Sequence, residues 1–483
     1  MKPRWKKVFA DFWENKARSF LIIASISIGI FAVGVVGVGY FVIPESMEAT
    51  YLSTNPANIQ IQTDPFDEDL IKSIQKIKGV KDVAGRTTIT AKVKNPKTSD
   101  WLSFSIIAVE DLSDQRIKVL ELRSGKLIPG KNELLISEDS LETLPVSPGS
   151  SIIVELPDGT QRNFAVAGTV IDYSSDLAIT FNQRTGFINL ESLDYLYLPR
   201  QYNSLLVTVS GDANDLANIE AVASLVNKEI KNTGRRILSQ SVARSIDQPF
   251  ANYTDALSVI ISFIGLFILI LSSSLIVNTM NALMAQHVRQ IGVIKLIGGL
   301  RNQVIGMYLA LVFFFSLISF LIAIPASAYV GRMLAANTLP ALNGKLFTSN
   351  LFIFLPEVII IQGFVAVLIP ILAAMKPIIQ GASVPIHKAL TSSLINQAVK
   401  PGKFDLWLDS IRYKSGIITL GFRNTFRQKG RLLLTIFTLS LGCAIFISVF
   451  NVELSLTNQI DKVLQYNQAD IFLNLERDYP IEE

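Results

Sequence analysis

Five stretches of this chain lack Asp, Glu, Lys and Arg and are long enough to cross a lipid bilayer; no other feature constrains the fold as strongly. They are residues 19–44, 256–288, 302–331, 358–375 and 432–452. A bilayer's hydrocarbon core is roughly 30 Å thick and takes about 20 helical residues to cross. A spanning segment must satisfy its own backbone hydrogen bonds, which favours helices. With 49% hydrophobic and 17% charged residues, the composition excludes a water-soluble enzyme. The windows predict transmembrane helices at 19–43, 256–284, 303–330, 356–375 and 432–452. The fourth is expected to start near Pro356, because Glu357 suits the interface better than the bilayer centre, where a charge costs roughly 2.5 to 3.5 kcal/mol.

Lys and Arg near helix ends mark the cytoplasmic side. They cluster in 1–18, in 285–302 (Arg289, Lys295, Arg301) and in 376–431. These three segments are expected inside, with the N-terminus in the cytoplasm. Residues 44–255 and 453–483 carry more acidic than basic side chains and are expected outside, with a short outer loop at 331–355. The net charge of +4 is therefore a topology signal rather than a nucleic-acid footprint. A cleaved signal peptide is the rival for the first window, but the apolar run is too long and no A-x-A site follows Tyr40. An uncleaved anchor is expected.

The segment 44–255 reads as one folded α/β and β-rich domain. Residues 57–63 alternate apolar and polar, as in a half-buried strand. Asp64, Pro65, Asp67, Glu68 and Asp69 then look like a helix start ahead of Leu70, Ile71, Ile74 and Ile77, with Gly79 as the stop. The acidic cluster is read as a complement to the helix dipole rather than as a metal site. Strands are expected at 80–93, 102–109, 133–136, 151–156, 163–170, 187–189 and 205–209, with Asp158-Gly159 marking a hairpin. A helix is expected at 212–231, with Leu216, Ile219, Val222, Ala223 and Val226 on one face.

Chemistry-bearing residues are sparse. Cys443 is the one cysteine and lies in an apolar window; the histidines are His287 and His387, both outside the 44–255 domain. Carboxylates in that domain are scattered singly. The sequence therefore assigns no catalytic, cofactor or metal site, and no G-x-x-x-x-G-K-[ST] phosphate loop occurs in it.

The chain repeats itself. A shift of 413 residues lays Lys16, Arg18, Leu21, Ile23, Ser27 and Gly29 on Lys429, Arg431, Leu434, Ile436, Ser440 and Gly442; a shift of 412 lays Ala57-Asn58-Ile59 on Ala469-Asp470-Ile471. The fifth helix is thus a second copy of the first, and 469–483 opens a second outer domain. The expectation is a truncated product, a fragment or half of a split protein. Ser440, Ala444 and Ser448 recur every fourth residue, which suits close approach of another helix, from the other half or a second copy. Gly29, Gly34 and Gly37 offer a less regular surface of the same kind.

Between the second and third windows, Val288, Ile291, Ile294 and Ile297 recur every third residue, with Arg289 and Lys295 off that stripe and Gly298-Gly299 as a stop. Such a short amphipathic helix suits a partner's groove. Its rival placement is flat on the inner leaflet, where cations meet anionic lipid. The run Arg289-Gln290-Ile291-Gly292-Val293-Ile294-Lys295-Leu296-Ile297-Gly298-Gly299 resembles the R-E-I-G-x-x-K-A-x-G-A signature of FtsX-like permeases, the MacB-type membrane subunits of ABC systems. The run 15–18 with the first window, residues 130–171, and Pro385-Ile386-His387-Lys388-Ala389-Leu390 resemble further parts of that family. Departures are Gln290, the apolar surroundings of Leu311, and His387-Lys388 where the family has Glu.

The resemblance implies an α-helical polytopic protein of the bacterial cytoplasmic membrane with a large MacB-like periplasmic core domain. It implies a permease that couples a separate cytoplasmic P-loop ATPase, through 288–299, to export or extraction of lipophilic, lipoprotein or peptide cargo, with an adaptor or envelope protein as a further partner. The alternative is a non-transporting transmembrane regulator or scaffold that signals to an envelope enzyme; one fold serves both.

Overall fold

The computed structural model describes residues 16–174, 184–249, 251–386, 389 and 429–466. The basic segment 1–15, most of the 376–431 linker, His387-Lys388 and the strand-like start at 469–471 lie outside the described residues.

Two compact units emerge. One takes in the chain up to Ile43, Ala256–Asn337 and Thr348–Val452; the other takes in Pro44–Asp255, Thr338–Phe347 and the chain from Glu453. Among the described residues, four helices are long and apolar enough to cross a membrane: α1 (Lys16–Ser53), α4 (Ala251–Leu296), α5 (Arg301–Ala341) and α6 (Pro356–Ala382). A further helix, α7 (Lys429–Tyr466), falls where a fifth crossing is expected; its apolar stretch, Thr435–Ser448, is shorter. None of its described side chains is buried.

The helices outrun the predicted spans. α1 continues past Ile43 through Pro44 to Ser53, and α6 continues past Met375 through Lys376. The largest difference is at the expected loop 285–302. α4 passes unbroken through Val288 and Lys295 to Leu296, and α5 begins at Arg301. Charge marks where a membrane ends, whereas a helix ends at a breaker. That breaker is Gly298, whose φ of +92° is costly for a side-chain-bearing residue. Gly299 N–H donates to the Ile294 carbonyl at 2.9 Å, so a carbonyl of the last turn is satisfied as in a Schellman-type cap.

The helical unit is held by apolar packing and by polar bonds that converge on α1. Ile22, Ile26 and Ile30 pack with Met280, Met284, Tyr308, Phe315, Ala366 and Ile378 in one core. Ser319 Oγ donates to the Ile23 carbonyl and Ser272 Oγ to the Ser25 carbonyl, both at 2.9 Å. Gln362 Nε2 donates to the Ile30 carbonyl at 3.1 Å and to Ser327 Oγ at 2.9 Å. In hydrocarbon an amide left unpaired would be costly, so these bonds favour one arrangement of the helices.

The other unit is a ten-stranded mixed sheet: β1 (Ile59–Phe66), β2 (Val80–Lys94), β3 (Trp101–Val109), β4 (Glu121–Gly125), β5 (Glu133–Ser137), β6 (Ser151–Glu155), β7 (Gln161–Ile171), β8 (Arg184–Asn189), β9 (Tyr202–Val209) and β10 (Ile237–Val242). The order is β10-β1-β9-β2-β3-β8-β5-β7-β4, with β6 pairing β2 and β7; β3–β8 and β5–β7 are the parallel pairs. Helices α2 (Glu68–Gln75) and α3 (Leu216–Asn232) cover the β1–β9 end through Leu70, Ile74, Ile219, Val222 and Val226. A second core, around Phe104, Phe164, Val154 and Ile188, fills the β-rich end.

Asp64 and Pro65 are not the helix start expected for them. β1 runs on through both to Phe66, which is fully buried opposite Tyr202, and burying that ring outweighs the helix-start pattern. Leu216 opens α3 but is 46% exposed, so it does not share the buried face of Ile219 and Val222. Strands β4 and β10, which close the two sheet edges, are absent from the sequence reading because their side chains are mostly exposed and show no apolar alternation.

Candidate functional site

The signature occupies the last turns of α4 and the turn to α5. Along it, exposure changes with position: Val288 is 9% exposed, Ile291 is 0%, Ile294 is partly buried against the same core, and Ile297 is 80% exposed. The cause is geometric. A helix advances about 100° per residue, so a three-residue repeat drifts roughly 60° at each step and carries Ile297 to the side opposite Val288. Ile291 and Ile294 therefore belong to the protein's own core. They are not the docking stripe that the spacing suggested.

Other signature residues are also taken up internally. Lys295 Nζ donates to the Val384 carbonyl at 2.8 Å. A Cβ on Gly292 would stand 2.7 Å from Ala389 Cβ, and one on Gly299 would stand 2.6 Å from Ile294 Cγ2. Close packing thus excludes side chains at both glycines. His287 Nδ1 lies 2.9 Å from the Tyr308 hydroxyl, both buried, which fixes the α4–α5 contact about two and a half turns before α4 ends.

What the tip presents to its surroundings is a different set. Val293 is 45% exposed, Leu296 62%, Ile297 80% and Leu300 64%, with Arg289, Gln290 and Arg301 exposed beside them. Val293, Leu296 and Ile297, spaced i, i+3 and i+4, follow one helical face at the end of α4, and Leu300 comes after the turn at Gly298. That pattern was available in the sequence. Choosing between it and the 288–297 stripe required knowing which side the bundle covers.

The glycines of α1 make close contacts within the helical unit. A Cβ on Gly29 would stand 2.8 Å from Ser272 Cβ, and one on Gly37 would stand 2.9 Å from Val358 Cγ1. At Gly34 it would collide with Gln362 Nε2 and Ser327. On α7, Ser440, Ala444 and Ser448 are exposed, as is Cys443.

No cluster of three or more potential metal ligands exists among the described residues. Charged groups of the sheet unit mostly pair at its surface, as in Lys126–Glu133 at 2.6 Å, Arg244–Asp247 at 2.7 Å and Arg200 with Asp194. The acidic cluster does the same: Glu68 pairs with Lys72 at 3.0 Å and Asp64 with Arg236 at 3.4 Å. Hydrogen bonds from the Arg236 backbone and side chain hold the Asp64 carboxyl below its usual range.

Asp139 shifts the other way. Burial, then repulsion from Asp172 and Glu138, pushes its carboxyl up to about 6. A carboxyl with a folded value above its unfolded value binds more protons folded than unfolded between roughly pH 4 and 6. Stability from this group is therefore full below pH 4 and is lost as pH rises through that window. Asp139→Asn should stabilise the sheet unit by up to about 3 kcal/mol at pH 7.5 and change little at pH 4. Thermal unfolding at the two pH values checks this, and equal gains at both would contradict it.

Residues 19–229 match the MacB-like periplasmic core domain, and residues 262–386 match the FtsX-like permease C-terminal domain. No curated protein matches the chain significantly. Solved structures similar to parts of it include three domains of transporter or permease proteins. The extracellular domain of the noncanonic ABC-type transporter YknZ from Gram-positive bacteria is 16% identical, with TM-score 0.26, over 37% of this chain and 100% of that one. The periplasmic region of MacB from Actinobacillus actinomycetemcomitans is 15% identical, with TM-score 0.27, over 44% and 95%. A domain of a putative permease protein from Porphyromonas gingivalis is 12% identical, with TM-score 0.25, over 39% and 90%. The chain thus carries one region that matches the MacB-like periplasmic core domain, reaching from its first membrane helix through the sheet domain, and a second that matches the FtsX-like permease C-terminal domain across its later membrane helices.

Proposed function

We propose that this protein is the permease subunit of an ABC transporter in the bacterial cytoplasmic membrane, with its N-terminus inside. It couples a separate cytoplasmic P-loop ATPase to the sheet domain outside, for export or extraction of lipophilic, lipoprotein or peptide cargo. The observation that carries the coupling role is the exposed apolar face of Val293, Leu296, Ile297 and Leu300 at the tip of α4. Four exposed apolar side chains flanked by Arg289 and Arg301 fit a partner with an apolar pocket and an acidic rim. The distribution of Lys and Arg supports the orientation.

Capture of the cognate ATPase by inverted membrane vesicles tests the reading. Wild type should bind it, and Leu296→Asp/Ile297→Asp should bind at least about 30-fold more weakly, as expected when interface anchors worth about 2 kcal/mol are lost. Both positions are exposed, so the variant should fold. Equal capture by wild type and variant would remove the tip as the docking surface. Capture by right-side-out vesicles would reverse the orientation.

A further inference from the structure

The sheet unit is covalently continuous with α1 and α4, and both junctions are knitted by buried polar groups. At the first, the Val119 N–H donates to the Thr54 carbonyl at 2.9 Å. Buried Arg86 Nη2 donates to the carbonyls of Ile117 at 3.0 Å and Lys118 at 2.9 Å. At the second, Asn58 is 2% exposed. Its Nδ2 donates to Ser245 Oγ at 2.9 Å, and its Oδ1 accepts from the Val209 N–H at 3.1 Å.

A third segment joins the same unit from much further along the chain. The end of α5 and the loop after it, Thr338–Phe347, belong to the sheet unit, although the whole of Ala256–Asn337 separates them from Asp255. The loop turns sharply: Asn343 has φ +55°, and the Gly344 N–H donates to the Leu339 carbonyl at 2.7 Å. A Cβ on Gly344 would collide with Met47 Sδ, so the turn fits closely against α1's extension. The Lys345 N–H donates to buried Thr50 Oγ1 at 3.0 Å.

Two side chains reach the far edge of the sheet. Asn343, 6% exposed, donates from Nδ2 to the Asp172 carbonyl at 2.9 Å, just past the end of β7. Lys345 Nζ lies 2.8 and 3.0 Å from the two carboxylate oxygens of Glu121, the first residue of β4. The exposed ion pair contributes little alone, about 0 to 1 kcal/mol. The buried amide contributes more, because removing its partner would leave it unsatisfied.

We propose that Asn343 and Lys345 are positioning residues that anchor the β4–β7 edge to the end of α5. They hold Thr338–Phe347 and the β4–β7 edge together inside one unit, although the two are far apart in sequence. Neither the coupling surface nor the ATPase enters this inference, so it stands or falls apart from them.

Hydrogen exchange on the full chain in nanodiscs tests it. Asn343→Gly deletes the amide while keeping a residue suited to positive φ, and Lys345→Ala removes the cation. In the double variant, exchange at 119–125 and 168–172 should rise about tenfold or more, as local opening becomes easier. Exchange around Asn58 should not change. Lys345→Glu should raise exchange at 119–125, and Lys345→Glu/Glu121→Lys should restore it, a rescue that a merely space-filling role would not give. Unchanged exchange at 119–125 in the double variant, or failure of the charge swap to rescue, would overturn the anchor.

Discussion

Ile291→Asp should unfold the helical unit. The side chain is fully buried in a core shared with Met284, Val304, Met307, Tyr308 and Ile378, and the basic residues one turn to either side, His287 and Lys295, are engaged by the Tyr308 hydroxyl and the Val384 carbonyl. Losing the apolar contacts and burying an unpaired acid together cost on the order of 4 kcal/mol or more, a large share of what holds any domain together. Size-exclusion profiles and thermal unfolding in detergent should show an aggregated or strongly destabilised protein. Leu296→Asp/Ile297→Asp, only one to two turns away, should remain monodisperse with a melting temperature near wild type. A folded, monodisperse Ile291→Asp protein that merely fails to bind the ATPase would reverse the assignment of the two faces.

Gly34→Leu should prevent correct assembly of α1, α5 and α6. The first added carbon already collides with Gln362 Nε2 and stands 2.5 Å from Ser327 Cβ. Displacing Gln362 also breaks its bonds to the Ile30 carbonyl and Ser327. Overpacking costs about 1 to 3 kcal/mol, and an orphaned buried amide adds about 1 to 3 kcal/mol. Even Gly34→Ala should therefore lower the melting temperature clearly. Gly39→Ala is the control, because a Cβ there meets nothing closer than 3.5 Å and should be tolerated. Part of the Gly34→Ala loss should return in Gly34→Ala/Gln362→Ala, since residues in contact do not act additively. Full tolerance of Gly34→Leu would mean that the three helices do not meet at this point.

Residues whose meaning depends only on their neighbours in sequence were legible without the structure. The long uncharged runs dictated the apolar helices, because no other arrangement of such a run satisfies its backbone in lipid. The alternation at 151–156 and 163–170, parted by Asp158-Gly159, became the β6–β7 hairpin, with Glu155 opposite Gln161. Gly159 takes a φ of +83° there. The signature 289–299 and residues 130–171 carried the family resemblance.

Contacts distant in sequence were not legible. Whether Ile291 or Ile297 faces a partner depends on which side of α4 is covered by α5 and α6, and helical periodicity is silent about that. Glycines on α1 show that something can come close, but only the packed bundle names Ser272, Gln362 and Val358 as what does. The edge strands β4 and β10 carry no apolar alternation and exist because β7 and β1 offer them unpaired backbone. By itself the sequence determined that this is a polytopic membrane protein with an α/β and β-rich domain after its first crossing, since hydropathy and short-range periodicity are local properties. The tertiary structure alone decided which apolar residues of the signature are core and which are surface, and that the end of α5 is built into the sheet domain. Both depend on side chains hundreds of residues apart competing for the same space.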